Sequence, residues 1–455
     1  MSESTAAGRE LPSDEREAPG FKRALAGSMV GAVLEWYDFA IYGALAASIF
    51  AGQFFPESAP FTGTLLALGT QAVGFIARPL GAVFFGHLGD RVGRKPMLIA
   101  TYLILALATA MIGLLPNYAA WGLAAPILLV VLRFVQGFAL GGEFGAAVTL
   151  VAEYAKPQQR GRWAALPQSG GAAGTLLATG VLTLIGSLVS PEQFAEWGWR
   201  IAFLIAIPLL LVGAWLRYGV QESPVFQQAE RHLEQTESSS VLEAIKHSPR
   251  MILHGLGARI GENVAFYIYT VFVIAYASKY IGYAVPDVLR AVLFAAMAQF
   301  IGMIAGGWIS DYLGRKPVMI AAALGLAVWA PIFFALAQSS LGLLTLGVVV
   351  GAFMHGLLAG PEAAWLVELF PTRYRFAGSS IAFQGSSIIA GGPAPLIATA
   401  LLGASGNTTP VVIYLIVCAL ISVVAVATAP ETKGRDLAAV GDEGSGPSRA
   451  AARTR

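Results

Sequence analysis

Glu35, Asp38, Arg78, Arg133, Glu143, Arg259, Glu262 and Glu362 all lie inside long apolar stretches, where a charged side chain is costly unless it is paired or wetted. Their types point to proton and anion chemistry. A carboxylate held away from bulk water loads and unloads a proton as its surroundings change, and a guanidinium offers a planar fork that fits a carboxylate bidentately.

Each assignment has a structural alternative. Asp38, with Glu35 one turn away, reads as a proton carrier or as a permanent ion pair with Arg133 or Arg78. Glu262 and Glu362 are further proton candidates. Arg133 and Arg259 read as captors of a substrate carboxylate or as internal partners, Arg259 with Glu262 or Glu362 in particular. Arg78, directly before Pro79, reads as structural. Tyr37, Tyr42, Gln136, Gln168, Asn263, Tyr267, Tyr269 and Gln384 offer hydrogen bonds to a polar substrate, or pack helices. His355 stands alone in its stretch and reads as a core residue. No His/Cys grouping suggests a metal, and no GxxxxGK[ST] segment suggests nucleotide, so neither cofactor nor ATP is expected.

The elements that position these groups must be membrane helices. With 56% hydrophobic and 12% charged residues and a mean hydropathy of +0.66, the chain is too apolar for a water-soluble fold. A span needs about 20 apolar residues. Twelve are predicted, at 25–50, 62–85, 96–115, 122–151, 164–189, 199–218, 251–279, 288–309, 318–337, 342–368, 376–402 and 409–429. A soluble helical bundle would need charges on its outer faces, and these stretches lack them. Glu35, Arg78 and Glu143 fall at similar depth, roughly 12 to 16 Å from the cytoplasmic ends, which allows one cluster. Gly137/Gly141, Gly170/Gly174 and Gly302/Gly306 have the spacing of close helix contacts.

Lysine and arginine orient the chain. Arg200, Lys279 and Arg290 border one face, Arg78, Arg133 and Arg259 lie inside spans, and the rest of the 29 fall on the other face or in the tails. Both termini are therefore expected in the cytoplasm. The first 24 residues lack an apolar signal core, and Cys418 has no disulfide partner. Nothing in the charge calls for nucleic acid.

One loop pattern occurs twice, as Gly86-His87-Leu88-Gly89-Asp90-Arg91-Val92-Gly93-Arg94-Lys95-Pro96 and as Gly307-Trp308-Ile309-Ser310-Asp311-Tyr312-Leu313-Gly314-Arg315-Lys316-Pro317. Each copy follows the second span of a six-span half, so the chain reads as a duplicated unit, the layout of a secondary transporter. An aspartate does nothing for positive-inside topology. Asp90 and Asp311 are instead expected to face a helix N-terminus of the opposite half, while Arg91, Arg94, Lys95, Arg315 and Lys316 read either as reaching acidic helix ends such as Glu153 and Glu368 or as setting topology alone. Gly93 and Gly314 would permit the tight reversal. Arg162 and Arg375 complete a second matched set of gate charges beside Glu153 and Glu368.

These loops resemble the signature of the major facilitator superfamily. Gly31-Ala32-Val33-Leu34-Glu35-Trp36-Tyr37-Asp38-Phe39, Ala77-Arg78-Pro79-Leu80-Gly81, Arg133 through Glu143 and Trp197-Gly198-Trp199-Arg200 are similar to the metabolite:proton symporter family, whose members carry shikimate, α-ketoglutarate, citrate or proline/betaine. Glu222-Ser223-Pro224 and Pro430-Glu431-Thr432-Lys433-Gly434 resemble segments of sugar-porter relatives. The resemblance spans about residues 22 to 436, and around Trp197 to Phe226 it is nearest the shikimate-carrying members. The segment after Arg435 lacks the heptads of the osmosensory branch.

The resemblance implies an all-α integral membrane protein, the major facilitator fold, with twelve transmembrane helices in two pseudo-symmetric six-helix bundles and a cavity lined by spans 1, 4, 7 and 10. The expected division is a tail at 1–22, bundles at 23–219 and 251–430, a linker at 220–250 and a tail at 431–455. The expected activity is proton-coupled import of a small organic acid across the cell membrane by alternating access, with a monomer sufficing. Uptake of a zwitterion such as betaine, export, and a transporter-like receptor are the alternatives; no nucleophile-base grouping suggests an enzyme.

Overall fold

The computed structural model describes residues 19–92, 94–141, 151–152, 155–219, 241–371 and 375–435. Among them, twelve long helices succeed one another: α1 (Pro19–Ser48), α2 (Pro60–Val92), α3 (Arg94–Leu114), α4 (Ala124–Leu140), α5 (Arg160–Leu188), α6 (Trp199–Gly219), α7 (Pro249–Tyr267, continuing through π turns to Ile281), α8 (Val285–Leu313), α9 (Arg315–Ala337), α10 (Leu341–Leu369), α11 (Arg375–Ser386, continuing through a π turn to Ser405) and α12 (Thr409–Thr428). Eight meet the length and hydropathy of a membrane span on their described residues, and α4 and the Leu103–Leu114 part of α3 are shorter apolar helices.

The two halves repeat one packing plan. In the first, α1 packs on α5 and α6, α2 on α4, and α3 on α6; in the second, α7 packs on α11 and α12, α8 on α10, and α9 on α12. The halves meet through α5 against α8 and α10, α2 against α11, and α1 against α7. Large apolar residues such as Leu107, Leu123, Val328 and Val424 stay exposed on the outside, as lipid-facing helices require.

Small residues set the closest approaches. Of the glycines picked out by spacing, Gly137, Gly170, Gly174, Gly302 and Gly306 lie where a helix meets its neighbour. Across the halves, a Cβ at Gly161 of α5 would come within 2.5 Å of the Gly307 carbonyl of α8, so any larger residue forces those helices apart.

The repeated motif is less of a loop than its charges imply. α8 runs through Ser310 and Asp311 to Leu313 and α9 begins at Arg315, leaving the reversal to Gly314 at φ 103°. Only glycine takes that conformation without strain. In the first copy α2 likewise continues through Asp90 and Arg91 to Val92, and α3 begins at Arg94. Gly93, Glu143 and Glu153 lie outside the described residues, and for Asp90, Arg91, Arg94 and Lys95 the description is of helical backbone.

Candidate functional site

α1 carries Glu35 and Asp38 at i and i+3, so both face α2 and α4. They do not share a partner. Glu35 Oε1 pairs with Arg78 Nη2 of α2 at 3.1 Å, and Asp38 Oδ2 pairs with Arg133 Nη1 of α4 at 3.3 Å. Asp38 is fully buried and its other oxygen accepts from Thr109 Oγ1 at 2.8 Å and Gln136 Nε2 at 2.9 Å. Gln136 Oε1 in turn accepts from Arg133 Nη1 at 3.0 Å. Phe39 lies between the two guanidiniums, with Arg78 4.2 Å and Arg133 4.1 Å from its ring centroid, and Tyr42 is 4.3 Å from Arg133. Nε and Nη2 of Arg133 have no hydrogen-bond partner among the described residues.

α7 and α10 build a different cluster in the second half. Arg259 Nη2 lies 3.2 Å from Glu262 Oε2, and Arg259 Nη1 lies 2.6 Å from Glu362 Oε2. Its Nε donates to Ser386 Oγ of α11 at 3.0 Å, and the Phe383 ring lies 3.8 Å from the guanidinium carbon. His355 does not stand alone: Nε2 is 3.1 Å from Glu262 Oε1, and Nδ1 is 2.8 Å from Gln299 Nε2 of α8.

Between the clusters is a small cavity of about 10 Å³, lined by Trp36, Phe39, Ala40, Thr175, Thr179, Phe266, Tyr267 and Thr270 among others. That is space for about one water. Trp36 and Phe266 meet edge to face across the halves at 5.1 Å, as do Phe75 and Tyr267 at 5.8 Å. Tyr267 is buried, its hydroxyl unpartnered among the described residues, within electrostatic reach of Glu262 on one side and of Arg78, Arg133 and Glu35 on the other.

Other residues chosen from sequence sit differently. Tyr37 turns away from the cavity and donates to the Ala202 carbonyl of α6 at 2.9 Å, because its position on α1 faces α6. Gln136 is tied into the Asp38 cluster, and Asn263 donates to the Arg259 carbonyl at 2.9 Å. Gln384 is half-buried on α11, two residues before Ser386. Thr109, Gln299, Ser386 and the aromatic walls were not picked out from sequence. Nothing local marks an uncharged helix residue as the partner of a distant charge. Gln71 of α2 was also missed: it is buried, both amide atoms lack partners among the described residues, and it lies behind Gly43 and Val271.

Where α5, α8 and α10 come together at one end of the bundle, Asp311 accepts from the backbone N–H groups of Gly161 at 2.8 Å and Arg162 at 3.0 Å. These are free donors of the first turn of α5, in the opposite half. Arg162 enters this contact through its backbone N–H, and Glu153, the acid expected beside its side chain, lies outside the described residues. Arg315 Nη1 bonds Asp311 at 2.7 Å, and Glu368 receives Arg315 at 3.3 Å from its own half and Arg160 at 3.1 Å from the other. Lys316 stays within its half, donating to the Ala427 carbonyl at the end of α12 at 2.9 Å, and Arg375 is buried at the start of α11. Residues beyond α12 complete the knot. Thr432 donates to Glu368 at 2.7 Å, and Glu431 accepts from the N–H groups of Arg315 and Lys316 at the start of α9. Burial opposes charge on Glu431, but backbone donors from Lys433, Arg315, Lys316 and Thr432 outweigh it and hold its carboxyl below the usual carboxylate range.

The family described as "Sugar (and other) transporter" matches residues 24–254, and the Major Facilitator Superfamily matches residues 289–452. The chain is 38% identical to the shikimate transporter of Escherichia coli (strain K12), over 88% of this chain and 92% of that one. It is 34% identical to the proline/betaine transporter of Salmonella typhimurium, over 91% and 85%. Its fold matches that of the proton:xylose symporter XylE with a TM-score of 0.73, at 20% identity, over 92% of this chain and 98% of that one. Twelve helices in two matched halves, charges buried where those halves meet and relatives aligned over most of their length lead to one conclusion: the chain belongs to the major facilitator superfamily of membrane transporters.

Proposed function

We propose that this transporter imports a small organic acid together with protons, by alternating access. The observation that carries the reading is the Asp38–Arg133 pair, a carboxylate and a guanidinium fully buried on α1 and α4 beside the interface of the halves. The same guanidinium cannot serve Asp38 and a substrate carboxylate equally well. Protonation of Asp38 removes its charge and frees Arg133, with its unpartnered Nε and Nη2, for the incoming anion. Proton and substrate binding then support each other, which is the requirement for symport. Arg259 answers from α7, with Asn263, Tyr267, Gln136 and Gln384 as polar contacts. The knot of Asp311, Arg315, Glu368 and Arg160 serves as the cytoplasmic gate, opened when the halves rock apart. The protein sits in the cell membrane as a monomer with both termini in the cytoplasm, as the lysine and arginine distribution supports.

A second substrate reading has its own support. The cavity wall is aromatic, from Trp36, Phe39, Phe266 and Tyr267, and suits the quaternary nitrogen of a betaine-like zwitterion. One experiment separates the two. Purified protein in liposomes is offered shikimate, α-ketoglutarate, citrate, proline and betaine while internal pH is followed. Acidification with an organic acid supports the first reading, acidification with betaine or proline alone replaces it with the second, and silence across the panel rejects both. With the substrate in hand, Asp38→Asn is expected to abolish accumulation while sparing exchange; equal loss of both would remove Asp38 from the coupling role.

A further inference from the structure

Gln71 is a buried polar side chain to which the transport reading gives no task. It is fully buried on α2, and neither Nε2 nor Oε1 has a hydrogen-bond partner among the described residues. Exchanging the two amide atoms changes nothing, since both lack one. The neighbours explain this. The amide faces Gly43 of α1, where a Cβ would come within 2.9 Å of Nε2 and 3.0 Å of the Val271 side chain of α7. Neither glycine nor valine has a side-chain donor or acceptor to offer.

Other residues on this face of α2 are engaged across the seam. Thr64, seven positions before Gln71, receives Lys279 Nζ from the end of α7 at 2.7 Å, and Phe75, four positions after it, meets Tyr267 edge to face at 5.8 Å. Buried Gln136 of α4, by contrast, bonds Asp38, Thr109 and Arg133. An amide buried without partners is costly, and an apolar residue of the same size would avoid the cost. Its retention where two halves move apart is explained by a partner that it meets when they do.

Position and chemistry specify that partner. Three residues along α2, a Cβ at Gly74 would come within 2.9 Å of Arg133 Nε, one of the two guanidinium nitrogens without a hydrogen-bond partner. The Gln71 amide and the free edge of Arg133 therefore lie about one helical turn apart along α2. A guanidinium only donates and suits a carboxylate, whereas an amide both donates and accepts. Hydroxyl groups do both in return; a carboxylate or a quaternary ammonium does not.

We propose that Gln71 is a substrate-binding residue that recognises hydroxyl groups on an organic acid whose carboxylate is held by Arg133. The assignment rests on the organic-acid reading above and narrows its substrate to hydroxylated acids.

The liposome panel tests it on the wild type, since shikimate and citrate carry hydroxyls and α-ketoglutarate, proline and betaine carry none. Acidification is expected with a hydroxylated acid. α-Ketoglutarate alone would leave organic-acid import standing and overturn the proposal, whereas proline or betaine alone, or silence, would remove both. Gln71→Met should then raise KM for the hydroxylated acid by about tenfold or more, with the maximal rate within about twofold of the wild type. An unchanged KM overturns the proposal. Thermal unfolding without substrate separates binding from packing. Because methionine removes an unsatisfied amide, Gln71→Met is expected to unfold at the wild-type temperature or above. A variant that unfolds lower, or does not fold, shows that the amide has a structural partner and overturns the assignment.

Discussion

The same packing plan carries two unlike charge clusters. In the first half, among the described residues, two acids meet two arginines, and Thr109 and Gln136 complete the bonding of Asp38. In the second half two acids crowd one arginine, and a histidine meets one of those acids. Pseudo-symmetry fixes helix positions and therefore depth, but each cluster's charge is set residue by residue. A cluster that pairs each acid with its own arginine resists removal of either partner; one in which two acids share an arginine better tolerates loss of an acid.

That contrast breaks most visibly at Arg133. Arg133→Met leaves Asp38 buried and unpaired, at a cost of about 3 to 5 kcal/mol. Thermal unfolding in detergent is expected to show a large loss, with most of it recovered in the Asp38→Asn/Arg133→Met pair. No recovery would mean that the pair is not the unit. Glu362→Gln is the counterpart, and it should change stability by only about 1 kcal/mol or less, since Arg259 keeps Glu262 as a carboxylate partner.

Two changes test the seam between the halves. Gly161→Leu places a side chain where only 2.5 Å is available and should wedge α5 from α8 at this end of the bundle. Cysteine labelling of cavity positions reached from that end, over the low background of buried Cys418, should rise by about tenfold or more, equivalent to a shift of about 1.4 kcal/mol. Glu368→Gln weakens the links to Arg160, Arg315 and Thr432 and should move labelling the same way, by less. Unchanged labelling in both would show that this knot does not hold the gate.

The smallest effect concerns pH. Glu431 has a carboxyl held below its ordinary value of 4.5, so its contribution is present above that value and is lost as pH falls through the depressed one. Stability of the wild type should fall over that acidic window, and Glu431→Gln should flatten the fall by about 1 kcal/mol or less, read by thermal unfolding across the same range.

Much of this was legible in the chain. The duplicated Asp311 and Arg315 pattern marked one end of the helix bundles, since an acid placed twice against the topology rule needs a structural partner, and Asp311 has one in the first turn of α5. Arg259, Glu262 and Glu362 were readable as neighbours from spacing and depth. His355 was not, because its partners Glu262 and Gln299 come from two other helices. Nor was the direction in which Tyr37 points, which depends on how α1 is rotated against α6.

Apolar runs, a repeated motif and the distribution of lysine and arginine determined a duplicated helical membrane protein and the depth of its charges. Those features follow from lipid thickness and from helix rise, both local properties of the chain. Only the tertiary structure decided that Asp38 takes Arg133 and Glu35 takes Arg78, that two glutamates share Arg259, and that Asp311 caps α5 of the other half. Pairing depends on helix rotation and on which glycine contacts bring two helices close, and these are set by contacts between residues far apart in sequence.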